Sequence, residues 1–179
     1  QKGGSCRLAL TDFDKQGRDL FVRWCKEAGS TIRIDRMGNI FARRAGRSDH
    51  LAPVMTGSHL DTQPAGGGFD GILGVLAGIE VIRALHDADL RPAHSITVVN
   101  WTNEEGTRFA PAMLASGVYA RVHDEDYANT REDAEGKRFG DELDRIGWRG
   151  SEEVGGRPMH AMFEYHIEQG PIFEAEGKE

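Results

Sequence analysis

The apolar residues Leu20, Phe21, Trp24 and Cys25 recur at helical spacing, preceded by Thr11 and Asp14 and followed by Gly29. This pattern predicts a first helix over about 11–28, opened by a capping box in which Asp takes the place of Glu. TIRID and NIFARR alternate apolar and polar residues around Arg36, Met37 and Gly38, which predicts a hairpin or two consecutive strands. After a polar surface loop, AGRSDHLA, the segment PVMTGSHLD begins as a short buried strand and runs into the glycine-rich loop PAGGGFDG. GILGVLAGIEVIRALHDADL gives the clearest helix, with Ile72, Val75, Leu76, Ile79, Ile82 and Leu85 on one broad face. SITVVNW predicts a second continuously apolar strand, which ends in NEEG. Short helices are expected around Ala112 to Tyr119 and over FGDELDRIGW, and a last strand over AMFEYHIEQG that ends in His166.

Strands that are apolar throughout, separated by a helix, point to an α/β fold with a mostly parallel, buried sheet. HLD, NEEG and HIEQG then fall where core strands end, and in such sheets the carboxyl ends of strands face the binding crevice. A chain of 179 residues is expected to form one domain, burying roughly two thirds of its unfolded surface.

Composition narrows the function classes. Acids outnumber bases 29 to 22, for a net charge of −7, and no basic cluster offsets this, so nucleic acid is not an expected partner. No apolar run approaches the roughly 20 residues of a membrane span, and Ile72 to Leu85 carries Glu80 and Arg83. The N-terminal stretch mixes charges and lacks the apolar segment of a secretory signal. Cys6 and Cys25 form no spaced framework, which suits reduced thiols in a cytoplasm. There is no GxSxG and no phosphate-cradling GxxxxGK[ST], and Cys25 falls on the apolar face of the first helix, so it reads as a core residue.

The chemistry gathers in three segments. In GSHLDTQPAGGGFDG, a strand-end His59 can offer a ring nitrogen to a metal. Residues 59 and 61 of a strand point the same way, so Asp61 is expected to hydrogen-bond near the His59 ring and fix its tautomer. Gly66, Gly67 and Gly68 free the chain to curl back and bring Asp70 to the same point. HxD alone is about as often an incidental strand end; the glycine-rich return is what favours a site. In NEEGTRF, the adjacent carboxylates of Glu104 and Glu105 repel unless a cation divides their duties, one binding metal and the other acting as general base and acid. By itself an exposed acidic loop explains any such pair equally well. In EYHIEQGP, His166 sits in an apolar setting, where a lone histidine is more often a satisfied core residue than a ligand. Together, two histidines and several carboxylates at neighbouring strand ends fit nitrogen and oxygen ligation of zinc, with manganese or cobalt as replacements. The donor count exceeds what one ion needs, which favours two ions about 3.5–4 Å apart sharing a carboxylate. His50, His86, His94, His123 and His160 lack acids at ligand spacing and read as surface residues.

GSHLDTQPAGGGFDG, NEEGTRF and HIEQGP together resemble the hydantoinase/carbamoylase amidases of the M20 zinc peptidase family, and the resemblance runs through the opening helix and RMGNIFAR. It implies a three-layer α/β/α catalytic domain with two divalent ions, zinc first and manganese, cobalt or nickel as substitutes. His59, Asp70 and His166 would hold one ion, while Asp70, bridging, and Glu105 would hold the second. Glu104 would be the base and Asp61 the residue that orients a ligand. His166, where peptidase relatives carry a carboxylate, tilts the resemblance toward hydrolysis of an N-carbamoyl-L-amino acid. Allantoate amidohydrolase, β-ureidopropionase or a peptidase are the alternatives, and an inactive metal-binding or structural fragment is the reading outside the enzymes. Gln63 stands where many relatives are apolar and leaves the substrate open. The resemblance also implies that residues 1–179 are the N-terminal part of the catalytic domain. A lid and dimerisation domain, a last histidine ligand and the groups that hold the substrate carboxylate would lie in a C-terminal half missing here. The partners implied are a small-molecule substrate and, in the full-length protein, a second copy.

Overall fold

The computed structural model describes residues 4–178. Five strands form one mixed α/β sheet in the order β1-β2-β4-β3-β5. They are β1 (Thr31–Ile34), β2 (Ile40–Arg44), β3 (Val54–His59), β4 (Ile96–Trp101) and β5 (Ala161–Phe163). The centre is parallel, β3 pairing with both β4 and β5, as the apolar strands predict. The hairpin β1-β2 joins it antiparallel through β2 and β4. The helices are α1 (Asp12–Glu27), α2 (Ile72–Asp87), α3 (Leu114–Tyr119), α4 (Glu125–Asn129), α5 (Phe139–Arg145) and α6 (Ile172–Glu176). Of these, α4 and α6 were not expected from the apolar pattern, each being a single turn or so. Among the described residues no helix is long and apolar enough to cross a membrane.

The main core lies between the sheet and α1, α2, α3 and α5, and includes Phe21, Ile40, Val75, Ile79, Val98 and Leu143. A smaller cluster of Phe41, Met55, Val99, Trp101 and Tyr119 occupies the opposite face. That face stays partly open, in a concavity lined by Phe41, Met55, Thr97 and Tyr119. Tyr119, at the end of α3, packs on that face.

The start of α1 departs from a capping box in one respect. Thr11 Oγ1 accepts from Asp14 N at 3.3 Å, but the Asp14 carboxylate accepts from Leu10 N and from Arg18 Nε, each at 2.8 Å. Arg18, 1% exposed, also donates to Gly38 O and Thr102 Oγ1. One buried ion pair thus ties α1 to the hairpin turn and to the residue after β4. Asp35 serves the same turn. Its carboxylate accepts from Met37 N, Asn39 N and Asn39 Nδ2, and burial pushes its acid up to about 6. Asn39 Oδ1 then accepts from Thr102 N, so the approach to NEEG is held from two sides.

Two expectations change. The buried face of α2 is Gly74, Val75, Gly78, Ile79 and Ile82, whereas Leu76 is 40% exposed. The helix lies so close to β3 that a Cβ at Gly74 would stand 2.9 Å from Ser58 Cβ, and 2.5 Å from Tyr165 O in the chain beyond β5, so small residues replace large ones at the contact. The last strand stops at Phe163 and His166 follows it in irregular chain. Beyond the Thr56–Phe163 pair the ladder gives way to a side-chain bond, Ser58 Oγ to Glu164 Oε1 at 2.5 Å. The chain then crosses the start of α2 instead of extending the sheet.

Because Asp14 is buried beside Arg18, we expect Arg18→Ala to lower the unfolding free energy by about 3–5 kcal/mol, the usual cost of stranding a buried charge. Urea denaturation of the variant against wild type measures it, and the double variant Asp14→Leu/Arg18→Met should recover part of the loss.

Candidate metal centre

His59 is the last residue of β3 and is fully buried. Its Nδ1 lies 2.8 Å from the backbone carbonyl of Asp61. A carbonyl only accepts, so Nδ1 carries the proton and Nε2 presents a lone pair. His166 repeats the arrangement, with Nδ1 2.7 Å from Ile167 O. The two Nε2 atoms face each other at 3.2 Å with the rings stacked at 27°. Asp70, immediately before α2, completes the group: its Oδ1 is 3.4 Å from His166 Nε2 and 3.9 Å from His59 Nε2. Ligand atoms of His59, Asp70 and His166 all lie within 4.8 Å of one another. Gly71 makes room for this, having φ +67° and lying where a Cβ would come 2.4 Å from the His59 ring.

These donors fit a divalent cation. Two imidazole lone pairs and a carboxylate oxygen point at one another, and Asp70 Oδ1 is buried without a hydrogen-bond partner among the described residues. Acceptors that converge with nothing to donate to them, two of them buried and His166 partly so, are costly, and a cation would relieve all three at once. Glu105 Oε1 is buried and unpartnered in the same way.

Glu104 and Glu105 follow β4. Glu104 Oε2 is 3.3 Å from His59 Nε2. Burial raises the acid of Glu104, opposed by His59 and reinforced by Glu105 and Glu164. Burial also raises Glu105, with Gln63 opposing and Asp70 adding to it. Asp61 differs from the expectation drawn from strand geometry. Its side chain does not bond the His59 ring, standing 3.9 Å from Nδ1, and the main-chain carbonyl takes that place. The reason is that β3 ends at His59, so the regular alternation of a paired strand no longer governs where residue 61 points. The carboxylate instead accepts from Glu104 N and Glu105 N, each at 3.2 Å. It is buried, and burial pushes its acid up to about 6 against the His59 and backbone interactions.

Two contacts to these carboxylates lie beyond what the residue pattern indicates. Gln169 Nε2 donates to Asp70 Oδ2 at 2.5 Å, and Gln63 Nε2 to Glu105 Oε2 at 3.1 Å. The signal for Gln169 was its place three residues after His166; Gln63 stood out as polar, with no indication of its target. Of the five histidines read as surface residues, His94 and His123 are half-buried, and His94 packs on His160 with ring centroids 4.2 Å apart. Cys25 is buried, its thiol pushed up to about 12 by burial, which suits a core residue and no nucleophile.

With that geometry in view, the similarities to known proteins carry chemical meaning. The chain is 61% identical over 177 residues to an N-carbamoyl-L-amino-acid amidohydrolase of Rhizobium meliloti, covering 99% of this chain and 42% of that protein. A ureidoglycolate hydrolase of Oryza sativa subsp. japonica is 36% identical, with 96% of this chain and 37% of that protein covered. Among solved structures, an amidase of the hydantoinase/carbamoylase family from Burkholderia multivorans superposes with a TM-score of 0.95 at 64% identity, over 98% of this chain and 43% of that one. The chain thus spans about two fifths of the length of these relatives. The model of peptidase family M20/M25/M40 matches residues 55–178, which contain all three motif segments. The chain belongs to peptidase family M20/M25/M40.

Proposed function

We propose that this chain supplies the acid–base residue and most of the metal ligands of an enzyme that hydrolyses an N-carbamoyl-L-amino acid to the amino acid, ammonia and carbon dioxide. One water is consumed: the ureido C–N bond to the amino acid breaks, and the carbamic acid released falls apart to ammonia and carbon dioxide. The observation that carries this reading is the convergence of His59 Nε2, His166 Nε2 and Asp70 Oδ1 beside the Glu104 carboxylate, with no donor among them. Members of this family are metal-dependent. His59, Asp70 and His166 would hold one ion, and Asp70 and Glu105 a second, zinc being the first choice for such donors. When bound, such ions supply Lewis acidity, acidifying water and polarising the ureido carbonyl.

The chain's own residues do the rest. Glu104 takes a proton from the attacking water and delivers it to the departing nitrogen, and its raised acid suits both halves of that task. Asp61 fixes the backbone from which Glu104 and Glu105 project. The carbonyls of Asp61 and Ile167 hold the protons on Nδ1 of the two histidines and keep Nε2 free for ligation. The 61% identity to an N-carbamoyl-L-amino-acid amidohydrolase supports the carbamoyl substrate. Resemblance at 36% to a ureidoglycolate hydrolase supports a second reading, another ureido acid hydrolysed by the same groups. We extend the proposal to a C-terminal half that adds the lid, a last histidine ligand and the carboxylate-binding groups, and to a cytoplasmic homodimer.

Turnover by the full-length protein of N-carbamoyl-L-amino acids, ureidoglycolate and allantoate, read as ammonia released, and of dipeptides, read as free amino acid formed, tests the reading. Turnover of the N-carbamoyl compounds above the others is expected; turnover of dipeptides alone would overturn it, and purified protein free of any divalent metal would favour a structural role. Glu104→Gln should retain bound metal, by elemental analysis, while kcat falls by about 10²–10⁴-fold. Gly71→Ala, whose new Cβ would meet the His59 ring, should weaken metal binding by about 10-fold or more, as would His59→Ala. Dialysis against a chelator followed by elemental analysis reads both.

A further inference from the structure

Asp70 and Glu105 are presented alike. Each has one carboxylate oxygen held by a glutamine amide and the other, Oδ1 or Oε1, buried and without a partner among the described residues. An ionised carboxylate only accepts, so the nitrogen of each amide must face it. Holding one oxygen in this way leaves the second as a one-atom ligand and stops the group from rotating.

Gln63 is exposed, and an exposed glutamine ordinarily gains little from one contact. Its backbone, however, is held. The Gln63 carbonyl accepts from Thr62 Oγ1 at 2.9 Å and from Gly66 N at 3.3 Å. Thr62 is clamped to the N-terminal segment, its N donating to Arg7 O at 2.8 Å and its Oγ1 accepting from Arg7 N at 2.7 Å. Ser5 and Gly66 exchange two further backbone bonds, at 2.9 and 3.0 Å. The residue therefore projects from a turn fixed on both sides, and its amide is directed at Glu105 from a rigid base.

We propose that Gln63 is a positioning residue for the second cation: by holding Glu105 Oε2 it aims Oε1 at the ion shared with Asp70 and sets that ion's affinity. This assigns to metal binding the position whose polarity the sequence linked to substrate choice. It rests on the two-ion reading of the proposed function.

The test is calorimetric titration of the metal-free full-length protein with Zn²⁺, repeated with Co²⁺ to follow the absorption spectrum. Wild type is expected to show two binding events. In Gln63→Leu the weaker event should lose about 10–100-fold in affinity, with the tighter event and the melting temperature of the metal-free protein unchanged, and the Co²⁺ spectrum should change only at the second equivalent. Two unaltered events in Gln63→Leu would overturn the assignment while leaving the two-ion site standing. Equal weakening of both events with a lowered melting temperature would make Gln63 a structural residue and also overturn it. A single event in wild type would overturn the two-ion reading, and this inference with it.

Discussion

One buried carboxylate joins the two halves of the site. Asp61, just beyond β3, accepts a hydrogen bond from each of two successive backbone amides, those of Glu104 and Glu105. Its own carbonyl holds the His59 ring. A residue buried to this degree keeps its charge only where donors surround it, and here the donors belong to the segment that carries the proposed acid–base residue. The requirement to satisfy Asp61 therefore fixes the distance between a metal-type histidine and two glutamates more than forty positions away in the chain.

Behind that link stands a polar scaffold. Arg18 and Asp14 on α1, Asp35 and Asn39 in the hairpin turn, and Thr102 after β4 form a connected set of buried hydrogen bonds. Buried ion pairs are poor evidence of net stability, since desolvation offsets much of the attraction. Their geometric consequence is firmer: each partner accepts only one arrangement, so α1, the hairpin and the end of β4 cannot shift independently. Apolar packing of α2 against β3 and β4 supplies cohesion but no comparable direction.

The electrostatics of the crevice follow from its composition. Asp61, Asp70, Glu104 and Glu105 crowd one end of the sheet, and burial raises the acids of Asp61, Glu104 and Glu105. No arginine or lysine offsets them there among the hydrogen bonds and ion pairs of the described residues. Such a concentration of acceptors suits a cation, which would offset the cost of burying them together. A chain that spans about two fifths of its relatives' length thus contains most of the donors for the proposed centre.

The amino-acid sequence determined the elements that its local chemistry controls: the Thr11 cap of α1, the apolar strands β3 and β4, and the glycines that let FDG return toward His59. It also marked His59, Asp70, Glu104, Glu105 and His166 as candidates, because metal-ligating and acid–base residue types recur together in three segments of the chain. Tertiary structure decided what lies beyond the reach of periodicity. The bond from Asp61 to two distant amides, the early end of β5, the exposure of Leu76 and the aim of Gln63 and Gln169 all depend on contacts between segments tens of residues apart. Spacing along a chain reports which way a side chain points within its own element, whereas the partner it meets is set by how the elements pack.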